Sequence, residues 1–131
     1  MKLRSLAVAL LAPLIPVGAL AGCGAGTTAR VSGHRVALAL EEYRILPQTV
    51  SVPAGRLQIV AHNRGILTHN LEVERGSLDS TERTVLATIH TLLPGASESV
   101  LTQPLAPGRY LLVSTVGNQA VLGMSGTLIV R

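Results

Sequence analysis

Tryptophan and phenylalanine are absent from this 131-residue chain, tyrosine occurs twice and cysteine once. Without aromatic side chains there is no platform on which successive bases could stack, so one common way of holding single-stranded nucleic acid is excluded. A lone cysteine excludes an internal disulfide and any zinc site built from several thiolates. Lysine stands only at position 2, and setting Lys2 and Arg4 aside leaves nine basic against seven acidic residues. That weak balance gives no reason to expect nucleic acid or a strongly acidic partner. Almost half of the residues are hydrophobic, and with so few rings the core has to be built from valine, leucine, isoleucine and alanine.

The N-terminus is the most distinctive stretch. Lys2 and Arg4 precede an uncharged apolar run from Leu6 to Leu20, the layout of a secretory signal. The run ends in Leu20-Ala21-Gly22-Cys23, which resembles the lipobox of bacterial lipoprotein signal peptides. The resemblance implies removal of residues 1–22, attachment of a diacylglycerol to the Cys23 sulfur, and palmitate-type acylation. The mature chain is then expected on the extracytoplasmic face of the cell membrane, where two or three acyl chains give stable anchoring. A retained membrane-spanning helix is the competing reading, and Pro13, Pro16 and the glycines at 18, 22, 24 and 26 disfavour it. Residues 23–33, small and polar after the cysteine, are expected to form a flexible tether that lifts a domain of residues 34–131 off the lipid.

Within that domain alternation dominates, punctuated by turns roughly every ten residues, which predicts an all-β sandwich or barrel. Val36, Leu38 and Leu40 alternate with small or polar neighbours; Thr49 to Val52 and Leu57, Ile59 and Ala61 continue the pattern on either side of Pro53-Ala54-Gly55. Leu71 and Val73 alternate with Asn70, Glu72 and Glu74, predicting one wet, polar strand face. Arg75 to Arg83 reads as a surface loop, the place for any short helix. Val85, Ala87 and Ile89 resume the period, Pro94-Gly95 turns, and further strands are expected from Val100, from Tyr110 to Val116 and from Gly126 to Val130. Tyr110 follows a Pro-Gly turn at a strand start, which fits equally a tyrosine corner and a plain buried tyrosine.

Two segments together resemble the cupredoxins, the small blue-copper sandwiches. Asn63-Arg64-Gly65-Ile66-Leu67-Thr68-His69-Asn70 matches their N-x-G-x-x-x-H-N pattern, and the run from Tyr110 to Val130 matches Y-x-x-x-C-x-V-G-N-H-x-x-x-G-M-x-G-x-L-x-V. The resemblance implies a Greek-key β-sandwich of about seven to eight strands over residues 34–131. It also implies which residues would face copper. A blue site requires a cysteine thiolate, two imidazoles and a weak axial methionine. The first histidine is matched by His69 and the methionine by Met124, but Ser114 stands at the cysteine position and Gln119 at the second histidine position. A serine hydroxyl stays protonated near neutral pH and is a hard donor, and an amide oxygen is a poor copper ligand beside imidazole. No type 1 copper, and no cofactor, is expected.

The functional expectation is therefore a non-catalytic binding or interaction module. It would contact another envelope protein or a small ligand through the loops of Asn63, His69, Asn70, Gly117, Asn118, Gln119, Val121 and Leu122. The alternative is weak copper binding in a non-blue site of His69 and Met124, for copper handling or electron transfer. His62 and His90 lie on the polar faces of their strands. Catalysis lacks support, since Ser114 has no nucleophile elbow or paired acid, and Glu41 and Glu42, adjacent in a strand, would point to opposite faces.

Overall fold

Period-two alternation gives most strands one buried face, and two such faces close on each other; β9, covered on both sides, is the exception. The computed structural model describes residues 26–131; the expected signal segment, Cys23 and the first residues of the expected tether lie outside the described residues. The strands are β1 (Thr28–Arg30), β2 (Arg35–Glu41), β3 (Arg44–Leu46), β4 (Thr49–Val52), β5 (Gln58–Asn63), β6 (His69–Arg75), β7 (Thr84–Leu92), β8 (Ser97–Leu101), β9 (Gly108–Val113) and β10 (Ser125–Val130). They form a six-stranded sheet in the order β1-β4-β10-β9-β6-β7 and a four-stranded sheet in the order β3-β2-β5-β8.

The inward faces carry the alternating residues named above. Val36, Leu38, Leu40, Ile59 and Ala61 of the smaller sheet meet Val50, Val52, Leu71, Val73, Leu112 and Leu128 of the larger one, all fully or nearly buried. Each such leucine or valine contributes about 1.5–3 kcal/mol by leaving water. Tyr110 joins this core, and its hydroxyl donates to the Ala106 carbonyl oxygen at 2.7 Å. The tyrosine corner is thus realised.

Strand direction decides what gathers at each end. β1, β4 and β10 are mutually parallel and β10 is antiparallel to β9, with Ser125 opposite Val113. β6 is antiparallel to β9 and starts at His69. Ser114, just past β9, Met124, just before β10, and His69 therefore collect at one end of the sandwich, termed here the loop end. The β2–β3 turn, the β5–β6 loop and the β7–β8 turn lie at the same end.

Three expectations need correction. The all-β reading holds, but the strands number ten rather than seven or eight, because β1 and β3, three residues each, are too short to show a period. The tether expected over residues 23–33 contains β1, which pairs with β4 in register Thr28 to Thr49, with Ala29 and the following Val31 packed against the core. The segment expected as a surface loop from Arg75 to Arg83 is one, with bends and turns from the end of β6 onward. Glu74, expected on a wet face, is 2% exposed. It lies opposite Leu111, which is buried too, and the Arg83 guanidinium approaches its carboxylate at 3.2 Å.

Candidate functional site

Three adjacent strands of the larger sheet bring the motif residues together. His69 opens β6, Ser114 follows β9, and Gln119 and Met124 belong to the β9–β10 loop. That loop is wound into a compact turn: Gln119 N–H donates to Val116 O, Leu122 N–H to Asn118 O and Gly123 N–H to Ala120 O. Gly123 has φ 109°, a left-handed conformation that a side chain would strain. The winding points Gln119 inward and leaves Val121 and Leu122 outside, with Met124 fully buried. Its ends are fixed by Met124 N–H donating to Gln119 O and Ser114 N–H donating to Met124 O.

Gln119 is the hub. Its side-chain amide donates to the Thr68 carbonyl at 3.0 Å, which orients the amide and leaves Oε1 as an acceptor. That oxygen lies 2.9 Å from His69 Nδ1 and accepts the Ser114 hydroxyl at 2.8 Å. Because an amide oxygen only accepts, His69 Nδ1 donates in this bond. Ser114 Oγ is also 3.0 Å from Asn70 Oδ1, and Asn70 bonds Thr115 through both its backbone amide and its hydroxyl. His69, Ser114 and Gln119 are all buried.

A residue of the opposite sheet completes the site. Glu42, in the β2–β3 turn, accepts the N–H groups of Ile66 at 2.6 Å and Leu67 at 2.9 Å. Its Oε1 stands 3.6 Å from His69 Nε2, too far for a hydrogen bond, and Nε2 has no other partner. The Leu67 N–H, then that of Ile66, hold the Glu42 carboxyl below its ordinary range against the opposing effect of partial burial. Glu42 thereby ties the β5–β6 loop to the β2–β3 turn.

The geometry does not fit a type 1 copper ion. The point on which His69 Nδ1 and Ser114 Oγ converge is taken by Gln119 Oε1, at hydrogen-bond distances from both, and metal–nitrogen bonds are shorter, near 2.0–2.1 Å for zinc. Among the described residues no group of three or more histidine, cysteine or acidic side chains is placed to hold a metal. The donor set itself, one imidazole with a hydroxyl, an amide and a thioether, lacks the thiolate that a blue site requires.

Sequence reasoning named His69, Ser114, Gln119 and Met124 together, and the structure assembles them. It also named Asn63, Asn70, Gly117, Asn118, Val121 and Leu122 as loop contacts. Asn63 is buried, and its side chain bonds Leu67 O, Leu92 O and Gly65 N–H, so it shapes the loop rather than meeting a partner. Asn70 is half-buried in the same way, whereas Gly117, Asn118, Val121 and Leu122 are exposed. His62 and His90 are exposed as expected. Glu42 was missed: it lies beyond the end of β2 and not in the strand, and nothing in its local sequence points to a histidine 27 residues away.

No protein-family model matches the sequence, and no curated protein matches it. Solved structures do. Dithionite-reduced auracyanin from the photosynthetic bacterium Roseiflexus castenholzii is similar with a TM-score of 0.69 and 22% identity, over 77% of this chain and 99% of that one. Auracyanin A, a "blue" copper protein from Chloroflexus aurantiacus, gives 0.63 and 19% over 78% and 99%. Reduced rusticyanin gives 0.61 and 18% over 85% and 89%. At such identities the likeness speaks for the fold: residues 26–131 of this chain form a cupredoxin-like β-sandwich.

Proposed function

We propose that this chain is an extracytoplasmic lipoprotein, anchored through Cys23, whose cupredoxin-like domain is a non-catalytic binding module that has given up type 1 copper. The observation that carries the reading is the shared acceptor: Gln119 Oε1 receives both His69 Nδ1 and the Ser114 hydroxyl. The cupredoxin pattern that this chain resembles puts metal ligands at the positions of His69, Ser114, Gln119 and Met124. Here a hydrogen-bond network of His69, Ser114 and Gln119 fills that end of the fold and links the β9–β10 loop to the β5–β6 loop. With the interior closed in this way, the exposed surface of those loops is what remains for function.

The buried, unpartnered His69 Nε2 facing Glu42 favours one rival, a weak non-blue metal site that includes His69. Copper titration of the purified chain separates the two. The binding-module reading expects neither stoichiometric uptake of Cu(I) or Cu(II) nor an intense visible band. Submicromolar copper binding that disappears in His69→Ala would overturn it. Anchoring is tested by metabolic labelling with a palmitate analogue, which is expected to mark the native chain and not Cys23→Ser.

A further inference from the structure

The described chain begins at the loop end. Thr28 lies opposite Thr49, and Thr49 opposite Thr127, three residues after Met124. Thr27 fastens this start: its carbonyl accepts the Thr49 N–H, and its hydroxyl the Gln48 N–H. Gly26 and Thr27 share a cleft with Tyr43, Gly123 and Ser125. Cys23 is three residues before Gly26, so even a fully extended backbone places its Cα within about 11 Å of Gly26. The far end of the sandwich is beyond that reach, since β2 and β6 have seven residues each and span about 23 Å.

The same end carries most of the uncovered apolar side chains. Nine large hydrophobic residues are exposed among those described, and six of them, Tyr43, Ile66, Leu67, Leu93, Val121 and Leu122, belong to loops at this end; Val121 is 88% and Ile66 83% exposed. They come from four separate connections tied together by backbone and polar contacts. Tyr43 adjoins Gly123, Glu42 binds the Ile66 and Leu67 amides, and Asn63 links Leu67 to Leu92. Tyr43 holds a left-handed φ of 61°, unusual for a ring-bearing residue, and the turn presents its amphipathic side chain to solvent.

The charges there suit a lipid surface. Glu41 is engaged by Arg44 at 2.8 Å and Arg64 at 3.5 Å, and Glu42 is satisfied by backbone amides. The two arginines remain largely exposed, where they can meet phosphate groups. Aliphatic tips, an interfacial tyrosine and flanking cations are the features of a surface that lies in the headgroup region of a bilayer.

We propose that the loop end is a membrane-facing surface: Ile66, Leu67, Val121 and Leu122 enter the interfacial region of the bilayer that holds Cys23, with Tyr43 at headgroup level. The domain then lies down on the lipid instead of being lifted from it. This rests on the anchoring proposed above for its orientation, and it names the lipid surface as the partner of the loops.

The test uses the full chain reconstituted through its own acylated Cys23 into vesicles of phosphatidylethanolamine and phosphatidylglycerol. A fluorophore is attached to Val121→Cys, Ile66→Cys or, at the far end, Leu101→Cys. Doxyl-labelled lipid is expected to quench the first two severalfold more than the third, and aqueous iodide to show the reverse order. Equal iodide access at all three overturns the proposal. So does a loop-end label shielded from iodide in native membranes yet untouched by doxyl lipid, a result that assigns the surface to a protein partner. Acylation is read separately from the mass of the mature chain. If Cys23 proves unmodified, the anchoring reading fails and the surface is judged by cosedimentation of Cys23→Ser with the same vesicles. Binding lost about tenfold or more in Val121→Ser with Ile66→Ser supports it, and no binding overturns it.

Discussion

The Ser114 hydroxyl donates to the Gln119 side-chain oxygen at 2.8 Å, so the two residues that break the blue-copper pattern satisfy each other. Gln119 supplies the acceptor for His69 Nδ1–H, and Ser114 supplies a second donor to the same oxygen. Together they turn a ligand set into a closed network. The pairing gives the two substitutions a common physical sense, because each supplies a hydrogen-bond partner to the other.

Gln119→Leu keeps the volume of the side chain but removes its bonds to His69, Ser114 and Thr68. Each buried partner left unpaired costs roughly 1–3 kcal/mol, and Ser114 retains Asn70 as a neighbour. The expected loss is about 3 kcal/mol, read from the urea midpoint at constant slope. Ser114→Ala should cost only about 1 kcal/mol. The double variant should fall short of the sum of the two by about 1 kcal/mol, since both remove the same bond; strict additivity would mean that the bond contributes nothing.

Ser114→Cys with Gln119→His should recreate the ligand set. Both changed side chains approach the His69 ring from the β9–β10 side, and Met124 is already buried beside them. Copper added to the double variant is expected to give an intense thiolate charge-transfer band in the visible, absent from the native chain and from either single change. A colourless double variant would show that the loop geometry differs from the one a blue-copper site requires.

Two carboxylates should give the stability of the domain a maximum in pH. Glu42 is held below its ordinary value near 4.5, so its contribution is complete above that value and is lost as pH falls through its lowered pKa. Glu74 is shifted the other way, by burial first and by its neighbour Glu72 second, with Arg83 opposing. The folded state therefore binds its proton more tightly than the unfolded state, and stability falls as pH rises from the ordinary value through the raised one. Thermal melts across pH 3–7 should show a flattened acid limb in Glu42→Gln and a flattened upper limb in Glu74→Gln. The opposite assignment of limbs would refute the account.

What the sequence disclosed follows from the range over which each interaction acts. The alternation of Val36, Leu38 and Leu40 is local and exposes β2 directly, as the turn glycines expose the strand ends. The approach of His69, Ser114, Gln119 and Met124 could be read only through a family pattern, because the residues lie up to 55 positions apart. β1 was invisible for another reason: Thr28-Ala29-Arg30 is too short to show a period, and its pairing with β4 exists only in the folded chain. The burial of Glu74 and the position of Glu42 depend on neighbours that only the folded chain supplies.

Tyr110 gives the last prediction, and it separates two roles that the sequence alone left equal. Its ring is buried in the core between the sheets, and its hydroxyl reaches back four residues to the Ala106 carbonyl. Tyr110→Phe preserves the ring and removes only that bond. If the corner contributes as an ordinary hydrogen bond does, the variant loses about 0.5–1.5 kcal/mol, with the unfolding slope unchanged. Tyr110→Leu also removes aromatic volume and should cost about 2–4 kcal/mol. An unchanged midpoint in Tyr110→Phe would reduce the tyrosine to a packing residue and leave the Pro107-Gly108 turn to hold the start of β9 by itself.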